Sequence, residues 1–368
     1  MAVEFKIGKT KVGGSNPCFI VAEIGINFNG KYENAIKLID SAADARCNAV
    51  KFQLFFAEKM YTPKAGDDAS GDGRKKNIYQ IVKDAELPKE WILKLKSYAN
   101  KKGLEFFCTV CEEEGADILK KYKMPAFKFA SYEITHIPLL RYVARMQKPI
   151  IFSCGAAEIK EIAEALEVFK EEKNENIALL HCIAHYGAPV TSLNLKVITT
   201  LKAVFPDIVI GYSDHSKDAV VAPRIAVALG AKIIEKHITL DKDMPGPDHF
   251  FALESDELEL MVKTIRNTER DMKRGITIEI PKKLLGVSER KAYANEIGSR
   301  NFAQRCVFAK KDVKRGEKFT KQNIIVLRPG NEKRGLHPKY YELLLKGYRA
   351  IRDIKANKSI VWDDVLSQ

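Results

Sequence analysis

Residues 232–249 read KIIEKHITLDKDMPGPDH, a short apolar run that closes on a histidine and turns at once into carboxylates, two prolines and a second histidine. Alternation along a strand puts Glu235 and His237 on one face. Seven β-rich runs precede this one: CFIVAEIGIN (18–27), NAVKFQLF (48–55), LEFFCTV (104–110), AFKFAS (126–131), PIIFSCG (149–155), IALLHCIA (177–184) and DIVIGYSDHS (207–216). Amphipathic helical stretches follow the strands, among them YENAIKLIDSAADARC (32–47), EIKEIAEALEVFKEEK (158–173) and SDELELMVKTIRNTERDMKRG (255–275). Eight strands in strict alternation with eight helices predict a closed (β/α)8 TIM barrel rather than an open doubly wound sheet. Neither GxGxxG nor GxxxxGK[ST] occurs to favour a nucleotide-binding fold.

Barrels of this class gather their chemistry at the C-terminal ends of the strands, and the polar residues fall there. Strand one ends with Glu23 and Asn27, strand two carries Lys51 and Gln53, and strand three offers Thr109. Strand four brings Lys128, Ser131 and Glu133, strand five Ser153, and strand six leads through His181 to Tyr186. Strand seven ends Ser213-Asp214-His215 and strand eight Glu235-Lys236-His237. Two lysines among hydroxyls suit a phosphate or carboxylate. His215 and His237, at matching positions of adjacent strands, are candidates to share a divalent metal with water and substrate oxygens, an open arrangement that suits a catalytic ion. Glu23 and Glu133 are candidates for proton transfer. His181, earlier in its strand, is expected to be structural, and the lone CxxC pair, Cys108 and Cys111, to serve packing.

The chain's 368 residues, 46% of them hydrophobic, exceed one average domain. Lacking a run of about 20 apolar residues, it is not expected to span a membrane. Its start, MAVEFKIGKTKVGG, does not read as a signal peptide. Seven cysteines, an odd number, fit a reducing cytoplasm better than a disulfide framework.

Beyond residue 275 the pattern changes. TIEIPKKLLGVSERKAYANEIGSR (277–300) is charged and irregular. Short β-like runs follow in RCVFAKKDVKRGEKFTKQNIIVLRPG (305–330) and YRAIRDIKANKSIVWDDV (348–365), which share a D[VI]K core. The expected organisation is a catalytic barrel over 1–280, a linker over 281–300 and a small β-rich domain over 301–368, whose thin core calls for docking on another surface. Residues 270–368 hold 24 Lys and Arg against 11 Asp and Glu, the whole of the net +13. Without a nucleic-acid motif, this reads as a solvated basic surface or a cap over an anionic substrate rather than a DNA or RNA site.

Nine segments together resemble the sialic acid synthases: IVAEIGINFNG (20–30), VKFQ (50–53), KFASYEI (128–134), SCGA (153–156), LLHCIAHY (179–186), GYSDHS (211–216), GAKIIEKHITLDKDMPGPDH (230–249), AKKDVKRGE (309–317) and VLRPG (326–330). The resemblance covers nearly the whole chain. It implies a barrel followed by an antifreeze-like (SAF) domain, and condensation of phosphoenolpyruvate with an N-acylated mannose-type sugar to a nine-carbon keto acid. By the same resemblance, Lys51, Thr109, Lys128, Ser131, Ser153 and Ser213 surround phosphoenolpyruvate, and His215 and His237 hold Mn²⁺ or Mg²⁺. Gln53, Tyr186 and Asp248 face the sugar, with Arg328 reaching in from the small domain of a domain-swapped homodimer. Glu23 and Glu133 serve the acid–base steps.

Four positions depart from the family pattern: Phe28 for histidine, Tyr132 for glycine, Cys154 for threonine and Ala184 for asparagine. These changes are expected on the sugar side, where Tyr132 and Phe28 suit an acceptor with fewer hydroxyls or another acyl group, such as the pseudaminic and legionaminic acid precursors. Two other readings remain at this stage. One is a Schiff-base aldolase with Lys128 or Lys51 as nucleophile; the other is a non-catalytic binding protein that uses its basic tail.

Overall fold

A computed structural model describes residues 3–68 and 76–366. The eight runs form one closed parallel barrel of Phe19–Gly25, Ala49–Leu54, Glu105–Val110, Phe127–Phe129, Ile150–Ser153, Ile177–Cys182, Val209–Asp214 and Ile233–His237. Spatial order follows sequence order, and the eighth strand closes on the first through Ile233↔Phe19 to His237↔Glu23. The last helix, Ser255–Lys273, starts at a reciprocal cap between Glu254 and Glu257 and buries Leu258, Met261, Val262 and Ile265 at helical spacing. No helix among the described residues is long and apolar enough to cross a membrane.

Strand alternation writes the interior in two levels. The lower inward level is apolar: Phe19, Val21, Ala49, Phe107, Ala126, Ile151, Ala178, Leu180, Val209 and Ile233 form one cluster. Toward the C-terminal rim the same faces become Glu23, Lys51, Thr109, Lys128, Ser153, Ser213 and Glu235. Gly211 lies between the levels because a Cβ there would meet Leu180 Cδ2 at 2.5 Å and Ile233 O at 2.6 Å. An N-terminal hairpin, Glu4–Ile7 with Thr10–Gly13, closes the bottom by adding Phe5, Ile7 and Val12 to the apolar cluster. Sequence reading took no element from that stretch.

The tail pairs Cys306–Ala309 with Ile324–Leu327, and Arg349–Ala350 with Val365–Leu366, both antiparallel. Its D[VI]K repeat becomes a local two-fold: Val313 and Ile354 exchange backbone hydrogen bonds of 2.9 and 2.8 Å. Lys314 pairs with Asp353 at 3.0 Å, and Lys355 with Asp312 at 3.2 Å.

The stretch expected as a linker is a strap, mostly exposed but pinned to the barrel by one buried ion pair. Arg290 and Glu296 are fully buried and paired at 3.0 Å. Glu296 Oε1 accepts the backbone N–H of Ala156 and of Ala184, each at 2.7 Å, tying the strap to the loops after strands five and six. Lys282, Lys283, Glu289 and Lys291 stay exposed, so one buried pair rather than the segment's whole charge anchors it. The tail then rests on its own chain's barrel: Arg328 N donates to Met60 O at 2.8 Å and Asn331 N to Ala65 O at 2.7 Å. Gly330 at φ +60° allows this approach, since a Cβ would meet Ala65 O at 2.2 Å.

Candidate active site

Two connected cavities open at the C-terminal rim. The inner one, about 110 Å³, is lined by Glu23, Lys51, Thr109, Lys128, Ser131, Ser153, Ser213, Glu235, His215 and His237. The outer one, about 550 Å³, holds Asp248. Gln53, Tyr132, Tyr186 and Arg328 line both.

At the inner floor Lys51 Nζ lies 2.6 Å from Glu23 Oε2 and donates to Thr109 Oγ1 at 2.9 Å. Lys128 Nζ donates to Ser153 Oγ at 2.7 Å and to Phe129 O at 2.9 Å. Glu235 Oε1 stands 3.7 Å from each ammonium and accepts from Ser213 Oγ at 3.1 Å. Ser131 Oγ accepts from Gly155 N at 2.9 Å, and a Cβ on Gly155 would sit 2.8 Å from that hydroxyl, which is why this turn carries glycine. Two ammoniums and two carboxylates thus share one buried floor, and their environments separate them. Burial favours a proton on Glu235, but Lys128 and Lys51 outweigh it and hold the carboxyl below its usual range. On Glu23 burial prevails over Lys51, with Glu235 adding repulsion, and the pKa is raised. Lys128 is lowered, mainly by burial. Paired groups pushed apart in this way divide into proton carrier and fixed charge. Glu23 is the member of the pair whose surroundings favour the protonated form.

Above the floor, the His215 and His237 rings lie 5.5 Å apart between centroids. Burial lowers both pKa values, so both imidazoles are neutral and able to ligate. His215 Nδ1 is engaged with Ile183 O at 2.9 Å, which leaves its Nε2 as the available nitrogen. His237 Nδ1 is buried without a hydrogen-bond partner and lies 3.6 Å from Asp248 Oδ2. Burial, then the charge of Glu23, pushes Asp248 up to about 7. Two bare imidazoles beside a carboxyl fit a divalent cation. No group of three or more His, Cys, Asp or Glu side chains among the described residues could hold one, so water and substrate oxygens would complete the shell. The outward-facing alternates brace this pair. Lys236 and Asp214, fully buried, meet at 2.8 Å, and Lys236 also donates to Asp218 O at 3.1 Å, which fixes the turn after His215. His249 bridges Thr239 Oγ1 at 2.7 Å and Asn29 Oδ1 at 3.0 Å, holding the loop that carries Asp248. The polar crowding of residues 235–249 is therefore a built rim.

Three expectations need correction. Glu133 was expected as an acid–base group, but it is 0% exposed and lines neither cavity. Its Oε2 accepts from Arg305 Nε and its Oε1 from Arg328 Nη2 at 2.8 Å. Burial alone would raise its pKa, yet Arg305 and Arg328 prevail and hold it low, so it is a fixed anion that orients Arg328. Phe28 does not face a substrate. The pairing register shifts between Glu23 and Gly25, and the following turn carries Phe28 outside the barrel onto Phe52 and Trp91, 6.0 and 6.2 Å between centroids. Cys154 is buried and lines neither cavity, whereas Tyr132 and Ala184 do line the site.

Two participants escaped the sequence reading. Glu235 was placed on the correct face but given no role, although its two-residue spacing from His237 was a usable signal. Arg305 left no local signal. It is fully buried at the start of an apolar strand, and donates to Lys59 O at 2.7 Å and Cys111 O at 2.9 Å as well as to Glu133. Arg328 Nε is buried without a hydrogen-bond partner, and the guanidinium lies 5.4 Å from the Tyr132 ring centroid. That leaves a donor for a ligand oxygen.

Comparison with known proteins places this geometry. A model described as the NeuB family matches residues 38–277, and one described as the SAF domain matches residues 304–366. The spore coat polysaccharide biosynthesis protein SpsE of Bacillus subtilis is 49% identical over 98% of this chain and 97% of that protein. Its crystal structure superposes with a TM-score of 0.90, covering 100% of both chains. An N,N'-diacetyllegionaminic acid synthase of Campylobacter jejuni is 37% identical over 93% of this chain and 98% of that protein.

Proposed function

Since this chain belongs to the NeuB family, we propose that it condenses phosphoenolpyruvate and water with the open-chain form of an N-acylated mannose-type sugar, releasing phosphate and a nine-carbon 2-keto sugar acid by C–O cleavage. One observation carries the reading: a small floor of two lysines and four hydroxyls lies beneath two bare imidazoles and opens into a larger cavity. Relatives named as N,N'-diacetyllegionaminic acid synthases and a pseudaminic acid synthase agree with it.

In this reading Lys51 and Lys128 hold the phosphate and carboxylate, with Thr109, Ser131, Ser153 and Ser213 donating to the remaining oxygens. C3 of phosphoenolpyruvate forms the new bond to the aldehyde carbon, whose oxygen takes the proton of protonated Glu23 and becomes a hydroxyl. Water adds at C2 and returns one proton to Glu23. The C2–O bond to phosphate then breaks as the C2 hydroxyl gives its proton to the departing phosphate, leaving the keto group. A divalent ion, Mn²⁺ or Mg²⁺, held by His215 and His237, would supply Lewis acidity at the aldehyde oxygen. Gln53, Tyr186, Asp248 and Arg328 face the sugar. The proposal includes a homodimer working in the cytoplasm, consistent with seven buried, unpaired cysteines. The Arg328–Glu133 contact is made here within one chain; a tail exchanged between subunits would make it between chains.

The test is phosphate release and product mass on incubation with phosphoenolpyruvate, Mn²⁺ and a panel of N-acylated sugars. Release that EDTA abolishes is expected; none from a folded, metal-supplied sample would refute the proposal. A second reading, a Schiff-base aldolase, draws on the lowered pKa of Lys128. Borohydride with a 2-keto acid should leave the protein mass unchanged, and a trapped adduct on Lys128 would favour the aldolase.

A further inference from the structure

Glu296 lines neither cavity, yet its carboxylate meets two loops that carry the reaction centre. It is fully buried, and one oxygen, Oε1, accepts from Ala156 N and from Ala184 N, each at 2.7 Å. The Ala184 N–H belongs to the same peptide group as Ile183 O, which accepts from His215 Nδ1 at 2.9 Å. The carboxylate thus holds the peptide that orients the imidazole. In the other loop, Ala156 has φ +55°, a left-handed backbone that alanine keeps only where its surroundings enforce it. Glu296 takes the N–H of Ala156, Arg300 Nη1 donates to its carbonyl, and Arg290 Nε donates to Ala157 O at 2.9 Å. Gly155, one residue earlier, donates to Ser131 Oγ at 2.9 Å and packs so closely on the other loop that an added Cβ would stand 3.2 Å from Ala184 Cβ. A strained turn, a floor hydroxyl and a metal-site imidazole therefore converge on one buried oxygen.

We infer that Glu296 is a positioning residue of the reaction centre: through two backbone N–H groups it sets His215 for a divalent cation and Ser131 for the oxygens of phosphoenolpyruvate. The inference rests on the proposed condensation for what the centre binds. A metal-ligating imidazole is oriented by the group that accepts its other N–H, and losing such outer support costs about 10–100-fold in metal affinity. Here the accepting group is a peptide carbonyl, and Glu296 holds that peptide from behind. Its second task, pairing Oε2 with Arg290 Nη2 at 3.0 Å, stabilises the strap. The two tasks draw on different properties of the side chain. Positioning needs an acceptor oxygen of the right reach, whereas the ion pair needs charge.

Mn²⁺ binding without substrate, read by the ion's magnetic resonance signal, separates the two tasks. Glu296→Ala removes acceptor and charge, and should bind Mn²⁺ about 10–100-fold more weakly than the wild type. Glu296→Gln loses the charge but keeps an oxygen of the same reach. It should recover most of that affinity while its unfolding midpoint stays low. Phosphoenolpyruvate binding, read by calorimetry, should rank the three proteins in the same order through the Ser131 side. Wild-type affinity for either ligand in Glu296→Ala, or equal losses in Glu296→Ala and Glu296→Gln, overturns the inference. If Glu296→Ala does not fold, Glu296→Asp replaces it, keeping the charge beside Arg290 and withdrawing the oxygen by one methylene. It should bind Mn²⁺ more weakly than Glu296→Gln yet unfold nearer the wild type, and equal affinities in these two variants overturn the inference. Phosphate release from phosphoenolpyruvate and an N-acylated sugar is followed in parallel. A wild type that binds Mn²⁺ and phosphoenolpyruvate but releases no phosphate overturns the condensation, while the ranking of the variants still decides the role of Glu296. A wild type that binds no Mn²⁺ overturns the inference.

Discussion

Glu133→Gln separates a positioning carboxylate from a catalytic one. The change keeps the side chain's shape and removes the negative charge between Arg305 and Arg328. Arg305 and Glu133 are fully buried and Arg328 is 11% exposed, so solvent screens little of the loss. Removing one partner of a buried pair costs about 3–5 kcal/mol. The new amide N–H₂ would face a guanidinium, which places the loss in the upper half of that range. At about 2–4 °C per kcal/mol for domains somewhat smaller than this barrel, the melting temperature should fall by roughly 8–20 °C. Loosening Arg328 should raise KM for the sugar by more than it lowers kcat. The sign of the acid dependence follows from the depressed pKa of Glu133. Its contribution is complete above the ordinary glutamate value of about 4.3 and disappears as pH falls through the lower native value, so wild-type stability should drop there while Glu133→Gln stays flatter. Urea unfolding midpoints across pH 3–7, with sugar saturation curves, measure both effects. An unchanged midpoint, with kcat reduced and one limb missing from its pH profile, would restore Glu133 to an acid–base role and refute this account.

Three further outcomes are expected. His237→Ala should weaken Mn²⁺ binding, read by the ion's magnetic resonance signal without substrate, by at least the roughly 10–100-fold that losing an outer-shell partner costs; unchanged binding would move the ion elsewhere. Mixing Lys128→Met with Arg328→Ala protein should restore part of the turnover in an exchanged dimer, where one intact site can form from two damaged chains; no restoration places each tail on its own barrel. Ile7→Ala should cost about 2–4 kcal/mol by opening the bottom plug, seen in unfolding midpoints with KM unchanged, because the hairpin is at the opposite end of the barrel from the site.

Much of the fold and part of the site can be read without coordinates. Strand alternation and helix spacing are local, so eight runs and their inward faces follow from residue order, and with them the rim positions of Lys51, Lys128, His215 and His237. The D[VI]K repeat likewise announced the tail's internal symmetry. The hairpin plug was missed because two short strands at a chain start carry no signal until a barrel bottom exists to cover.

What only tertiary structure decided is which charges meet. Arg305 reaches a carboxylate 172 positions earlier in the chain, and Arg328 reaches the same one across 195. Glu296 caps backbone groups 140 and 112 residues away. A buried ionised group is tolerated only with its partner in place, and no local period encodes a partner at that separation. Phe28 shows the same limit at short range: it is five residues from Glu23, yet one register shift at Gly25 sends it to the other side of the barrel wall. Periodicity along the chain fixes which faces a strand shows, while the neutralisation of charge and the turning of a loop depend on what the rest of the chain brings alongside.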